Sequence, residues 1–209
     1  MPKARRANGA LRPDSGGPAL QVRAAHTADL EAIATLHSRA RAAYHRGRAP
    51  GVPFDLPAEH TRCQAVWARA LEREDTLCAV RHGTVLGAAS YGRPAGPGAP
   101  EAVTLHQLQV DPDHWRTGVG RALHTACLHA WRTAGFSRAA LDVVWHNRRA
   151  RAFYTGHGWR PDPRHRPAPD ATHLTLTLSL AVTPLGGDRD AAADRACGPR
   201  RSGRDRAPE

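Results

Sequence analysis

Residues 114–123 read HWRTGVGRAL, with two glycines one residue apart where an extended run gives way to a helical one. Glycine inside a helix costs about 0.5–1 kcal/mol relative to alanine. That cost is tolerable where the backbone must approach something closely. A dinucleotide fingerprint, G-x-G-x-x-G, fails because Leu123 holds the third position and a five-residue loop separates strand from glycines. A P-loop fails because GVGRA lacks the Gly-Lys-Ser/Thr ending. The same physics survives in shorter form: free N–H groups at a helix start, reinforced by the helix dipole, hold a pyrophosphate. Gly118 and Gly120 would admit the phosphates, with Arg116 and Arg121 adding charge at the rim. A glycine-rich turn before an ordinary core helix fits these ten residues equally well.

The preceding strand, AVTLHQLQV at 102–110, places Val103 and Leu105 at odd positions but Leu108 and Val110 at even ones. Side chains alternate along a strand, so one face keeps one parity. One extra residue near His106–Gln107 restores it, which predicts a β-bulge and a strand bent away from its neighbour. A strand buried on both faces is the alternative.

Elsewhere the chain punctuates itself. ALQVRAA predicts a short strand, and Thr27 is placed to cap a helix through ADLEAIATLHSRARAAYHRG, with Asp29 and Glu31 near its positive end. AEHTRCQAVWARALERE predicts a second helix with Val66, Trp67, Ala70 and Leu71 on one face. TLCAVRH and TVLGAASYG form a hairpin around Gly83. Past the glycines a helix ends at Gly135, followed by a strand (SRAALDVVW), a helix (NRRARAFYTGH), a short strand starting at GW, and an amphipathic strand (THLTLTLSL). The order βααβββαβαββ defines a mixed α/β sheet. Residues 1–19 and 183–209 are Pro-, Gly- and Arg-rich without periodicity and are expected as disordered tails around a domain at 20–182.

The net charge of +11 invites a nucleic-acid reading, yet Lys3 is the only lysine among 30 basic residues. Arginine with abundant Ala, Pro and Gly points to composition bias, so nucleic acid is not an expected partner. Cys63, Cys78, Cys127 and Cys197 form no metal-ligand or disulfide spacing, and His124 and His129 read as surface residues beside a small thiol. No metal is expected. No run approaches the roughly 18 apolar residues of a membrane span, and the N-terminal PKARRANG has no apolar core behind it. The expectation is a soluble, cytoplasmic protein with no membrane partner.

LQVDPDHWRTGVGRAL resembles motif A of the GCN5-related N-acetyltransferase (GNAT) superfamily, R/Q-x-x-G-x-G/A after a bulged strand. LDVVWHNRRARAFYTGHGW resembles that family's next block, and the element order matches its fold, a mostly antiparallel mixed sheet flanked by helices. The resemblance covers residues 20–182 and is strongest at 101–160. It departs at Trp115, where the family has Arg or Gln.

The resemblance implies an acetyl-CoA-dependent N-acetyltransferase acting on a primary amine by direct attack. Leu108, Gln109 and Val110 would pair with the pantetheine arm, and Arg116, Thr117, Gly118, Val119, Gly120 and Arg121 would cradle the pyrophosphate. The Val110 N–H would face the oxyanion. Tyr154 would protonate the leaving sulfur or pack beside Phe153, and Asn147 would cap its helix or bind the cofactor. The strand lacks the glutamate base of many relatives. His106 is the candidate base, beside a water chain, histidine being the side chain most often used for proton transfer at physiological pH. The acceptor, a small-molecule or peptide amine, is not readable, although Tyr44, His45 and Phe54 are candidates to line its site. A catalytically weak acyl-CoA sensor is the alternative, and a homodimer pairing through THLTLTLSL is compatible with the pattern.

Overall fold

The computed structural model describes residues 19–94, 101–165 and 171–180. The tail expectations and Cys197 lie outside the described residues. Seven strands form one sheet in the order β1-β2-β3-β4-β5-β7-β6. They are β1 (Gln21–Ala24), β2 (Asp75–Arg81), β3 (Thr84–Gly92), β4 (Ala102–Val110), β5 (Arg138–Val144), β6 (Arg160–Pro161) and β7 (His173–Ser179). Four α-helices among the described residues complete it: α1 (Leu30–Arg48), α2 (Leu56–Arg73), α3 (Val119–Thr133) and α4 (Arg148–Gly156). All pairings are antiparallel except β4 with β5. Element order and sheet class are those expected from the sequence.

Each face of the sheet has its own core. Ile33 and Ala34 of α1 and Cys63, Trp67 and Ala70 of α2 bury against Cys78 and Ala88 on one face. On the other, Val119, Leu123, Cys127 and Trp131 of α3 pack with Tyr154, Trp159 and the alternating Leu174 and Leu176. The β2–β3 hairpin turns on His82 (φ 51°) and Gly83 (φ 75°), both left-handed as a two-residue turn of matching twist requires.

The parity shift in β4 is a bulge. Ser90 faces Gln107 and Tyr91 faces Leu105, so His106 is the unpaired extra residue. As a result Val103, Leu105, Leu108 and Val110 all turn to the α3 side. Gln107 and Gln109, opposite Ser90 and Ala88, turn toward α1 and α2.

Three local expectations are corrected. Thr27 does not cap α1. It opens a 3-10 turn at Thr27–Asp29, where the Asp29 carboxylate accepts from the His26 N–H at 2.8 Å and pairs with Arg23. His124 is 1 % exposed, because α4 and Trp159 cover the flank of α3 that would otherwise face water. β7 is not a free edge either: Arg160 and Pro161 of β6 pair with Thr177 and Leu176 on its outer side. Among the described residues, no helix is long and apolar enough to cross a membrane.

Candidate active site

The bulge positions the site. β4 and β5 pair only through 102–104 with 138–140, and beyond that point β5 continues with β7 while β4 continues with β3. The two central strands therefore part and leave a cavity of about 770 Å³. One wall is β4 from Leu105 to Val110, the other is β5 at 141–144 with Asn147, Phe153 and Tyr154, and the end is closed by Gly118 and Gly120.

Backbone direction along β4 follows from one bond. The Asp111 N–H donates to the Leu86 carbonyl on β3 at 2.9 Å. Successive residues point their N–H and C=O groups to opposite edges of a strand, so those of Leu108 and Val110 point into the opening and those of Gln109 toward β3. The Val110 carbonyl is already taken there: the Trp115 indole N–H donates to it at 2.8 Å. Its N–H is left aimed into the cleft. Trp115, the departure from the family motif, thus ties the loop to the end of β4, and the Arg149 guanidinium lies 3.2 Å over its ring.

At the helix start, Gly118 (φ 92°) is the N-cap of α3 in the left-handed region, and its carbonyl accepts from Ala122 at 2.9 Å. Arg116 (φ 65°) shares that rare conformation. The following N–H groups have no partner within the helix. No acidic residue occupies the first turn, and Arg116, Arg121 and Arg149 all line the cavity. A Cβ on Gly120 would sit 3.6 Å from both Phe153 Cε2 and Val110 Cγ2, so any longer side chain would grow into the opening. Thr117 and Val119 are not among the lining residues. The Thr117 hydroxyl donates to the His114 carbonyl at 2.8 Å, and Val119 is fully buried under the sheet.

Tyr154 lines the cavity and packs on Phe153 and Trp159, with ring centroids 5.3 and 5.8 Å away. The packing expected beside Phe153 is present. Burial, with the Cys127 thiol as a lesser cause, holds its hydroxyl well above the ordinary tyrosine pKa. The phenol is therefore protonated at neutral pH. Asn147 caps α4, its Oδ1 accepting from the Ala150 N–H at 3.0 Å, and it also lines the cavity. His106 stands exposed on the bulge at the cavity wall.

The structure adds residues that the sequence reading missed. His37 on α1 lines the cavity, and its Nδ1 accepts from the Trp67 indole at 3.0 Å, which leaves Nε2 as the protonated nitrogen. Burial, then Arg41, lowers its pKa to about 4, so the ring is neutral. Arg41, Glu59 and Arg62 line the same wall. Tyr44, His45 and Phe54 are not lining residues: His45 and Phe54 pack together, ring centroids 5.1 Å apart, away from the opening. The Cys63 thiol lies on the wall, but burial raises its pKa to about 11, which makes it a poor nucleophile.

A sheet whose parallel central strands part beside a glycine-opened helix is the frame of an acyl-CoA-binding enzyme. The model of the acetyltransferase (GNAT) family matches residues 30–159, and the chain belongs to that family. Its fold is similar to that of a GCN5-related N-acetyltransferase from Kribbella flavida, 25 % identical, covering 77 % of this chain and 97 % of that one at a TM-score of 0.56. It is also similar to the PaiA N-acetyltransferase of Thermoplasma acidophilum solved with coenzyme A (13 % identity, 77 % and 99 % coverage, TM-score 0.62). YncA of Salmonella typhimurium, solved with its cofactor acetyl-CoA, matches at 20 % identity, 85 % and 99 % coverage and a TM-score of 0.56. No curated protein sequence matches the chain.

Proposed function

We propose that this protein transfers an acetyl group from acetyl-CoA to a primary amine, by direct attack with both substrates bound. The observation that carries the reading is the parting of β4 from β5 beside the α3 N-terminus, with Tyr154 held protonated on the wall. The residues present fit the cofactor. The N–H groups at the start of α3, flanked by Arg116, Arg121 and Arg149, suit a pyrophosphate. The open-edge groups of Leu108 and Val110 suit an amide-bearing arm laid along the strand, and the Asn147 amide N–H₂ is left for the same ligand.

Bound acetyl-CoA would supply an activated acyl carbon. The chain then has three tasks. The Val110 N–H offers a donor for charge developing on the carbonyl oxygen, where a single such donor is worth about 3 kcal/mol. The Tyr154 hydroxyl gives a proton to the departing sulfur, whose thiol has a pKa near 8.5. His106, exposed at the bulge, takes the amine proton directly or through water.

Calorimetric titration with acetyl-CoA, beside a Gly120→Glu variant checked for folding, tests the reading. Binding on the order of micromolar in the parent protein, lost when a carboxylate enters the phosphate cradle, is expected. Absence of binding by the folded parent protein overturns it. A thiol-release assay over a panel of amines then separates enzyme from sensor: tight binding with no amine-dependent release would make the protein an acyl-CoA-binding module.

A further inference from the structure

Opposite the cofactor cleft, the wall made by α1 and α2 carries one buried carboxylate between two guanidiniums. Glu59, in the first turn of α2, lines the cavity yet is only 5 % exposed. Its Oε1 pairs with Arg41 Nε and its Oε2 with Arg62 Nη1, while the Cys63 thiol, one turn on, reaches Oε1 at 3.9 Å. A buried carboxylate must be compensated. Here it is overcompensated, two positive charges to one negative.

The guanidiniums themselves are not buried: the Arg41 and Arg62 side chains are 52 % and 64 % exposed. Each has five N–H donors in a planar fork, and the bonds to Glu59 use only part of them. The rest of this wall adds no compensating negative charge. His37 is neutral, and Gln107 and Gln109 are amides joined at 3.1 Å. Among the described residues the only other carboxylate lining the cavity is Asp142, across the cleft on β5, and it accepts from Thr175 at 2.6 Å.

We infer that the Arg41–Glu59–Arg62 cluster selects amine acceptors that also carry a carboxylate, which the two guanidiniums would grip while Glu59 holds them in place. This rests on the acetyltransferase reading and names its acceptor class. A guanidinium fork matches a carboxylate in geometry as well as charge. The surplus positive charge has a second consequence. Until a carboxylate neutralises it, that charge disfavours an ammonium group at the same wall, so an amine without a carboxylate meets a repulsion that an aminocarboxylate cancels. Polyamines and lysine-rich peptides would be repelled.

Three probes of equal carbon count test this: 4-aminobutanoate, butylamine and 1,4-diaminobutane. Each is offered with saturating acetyl-CoA in a thiol-release assay, and each is titrated calorimetrically into the CoA-loaded protein. The expected order is aminobutanoate, butylamine, diaminobutane. The first should exceed the second by about tenfold in kcat/KM, the scale of one charge-assisted hydrogen bond. In Arg62→Gln that ratio should shrink to about twofold, while Arg62→Lys, which keeps the charge but loses the planar fork, should fall between Arg62→Gln and the parent protein. Acetyl-CoA affinity should be the same in all three proteins. Equal use of the probes, or preference for the diamine, overturns the inference and leaves the transferase reading standing. Selective binding of aminobutanoate without turnover removes the transferase reading and overturns with it the inference about an acceptor. No selectivity in either measurement overturns the inference.

Discussion

Gly87 lies directly beneath Val119: a Cβ built on the glycine would stand 3.0 Å from Val119 Cγ1, 3.0 Å from Leu123 Cδ1 and 2.9 Å from the Gln109 carbonyl. The first turn of α3 sits against β3 at a distance only a missing side chain permits. That contact sets how far the helix start stands from the open edge of β4. Gly87→Ala is therefore expected to destabilise the protein by about 1–3 kcal/mol through overpacking. It should also weaken acetyl-CoA binding, because relief requires the helix start to move. Denaturant melts and calorimetry on the same preparation check both. An unchanged midpoint would mean that α3 yields without cost.

Gly118 is constrained differently. No atom lies within 4 Å of a Cβ built there, so space is available, but φ is 92°. An L side chain pays about 1–2 kcal/mol in the left-handed region. Gly118→Val should lower stability by at least that amount, and Gly118→Asn by less, since asparagine tolerates positive φ. Equal melting temperatures for the two variants would contradict this ranking.

What was legible beforehand follows from which interactions are local. The bulge could be read because a change of side-chain parity in β4 has a one-residue explanation, and the structure places that residue at His106. The hairpin at Gly83 and the helix stop at Gly135 (φ 78°) are equally local. Glu59 was missed although it falls four residues before Cys63 and eight before Trp67, on the buried stripe of α2. Its partner Arg41 comes from another helix, and pairing across helices leaves no periodic trace. His124 was misjudged for a related reason. Its burial depends on α4 and Trp159 arriving from 24 to 35 residues downstream, at a flank that the sheet-facing spacing of α3 does not mark.

Tyr154→Phe isolates one hydroxyl. The ring contacts with Phe153 and Trp159 survive, so the fold and acetyl-CoA affinity should be retained. Loss of the proton donor should lower kcat by about a hundredfold, the low end for a positioned acid, with KM for acetyl-CoA little changed. Steady-state kinetics with calorimetry as control distinguishes this from a packing role. A variant with parental kcat would leave Tyr154 as core alone.

Two buried histidines make stability depend on pH in a particular window. Burial lowers both His37 and His124 to about 4, with Arg41 contributing at the first, and His157 and Arg132 at the second. Both rings are also acceptors in their neutral form, from Trp67 and Trp159. In the unfolded chain histidine protonates near 6.5, so between pH 6.5 and 4 the unfolded state binds protons that the folded state refuses. Stability is then full above pH 6.5 and falls as pH drops, by about 1.4 kcal/mol per pH unit for each histidine inside the window. Asp29 acts lower: its hydrogen bonds with Arg23, then with the His26 N–H, hold it at about 2 against burial, so its contribution is lost only as pH falls from about 4 toward 2. Unfolding free energies at pH 7, 6 and 5 should show the histidine slope, and His124→Gln, which keeps an acceptor for Trp159, should flatten it by about half. A parent protein equally stable at pH 7 and pH 5 would show that both rings already carry charge in the folded state.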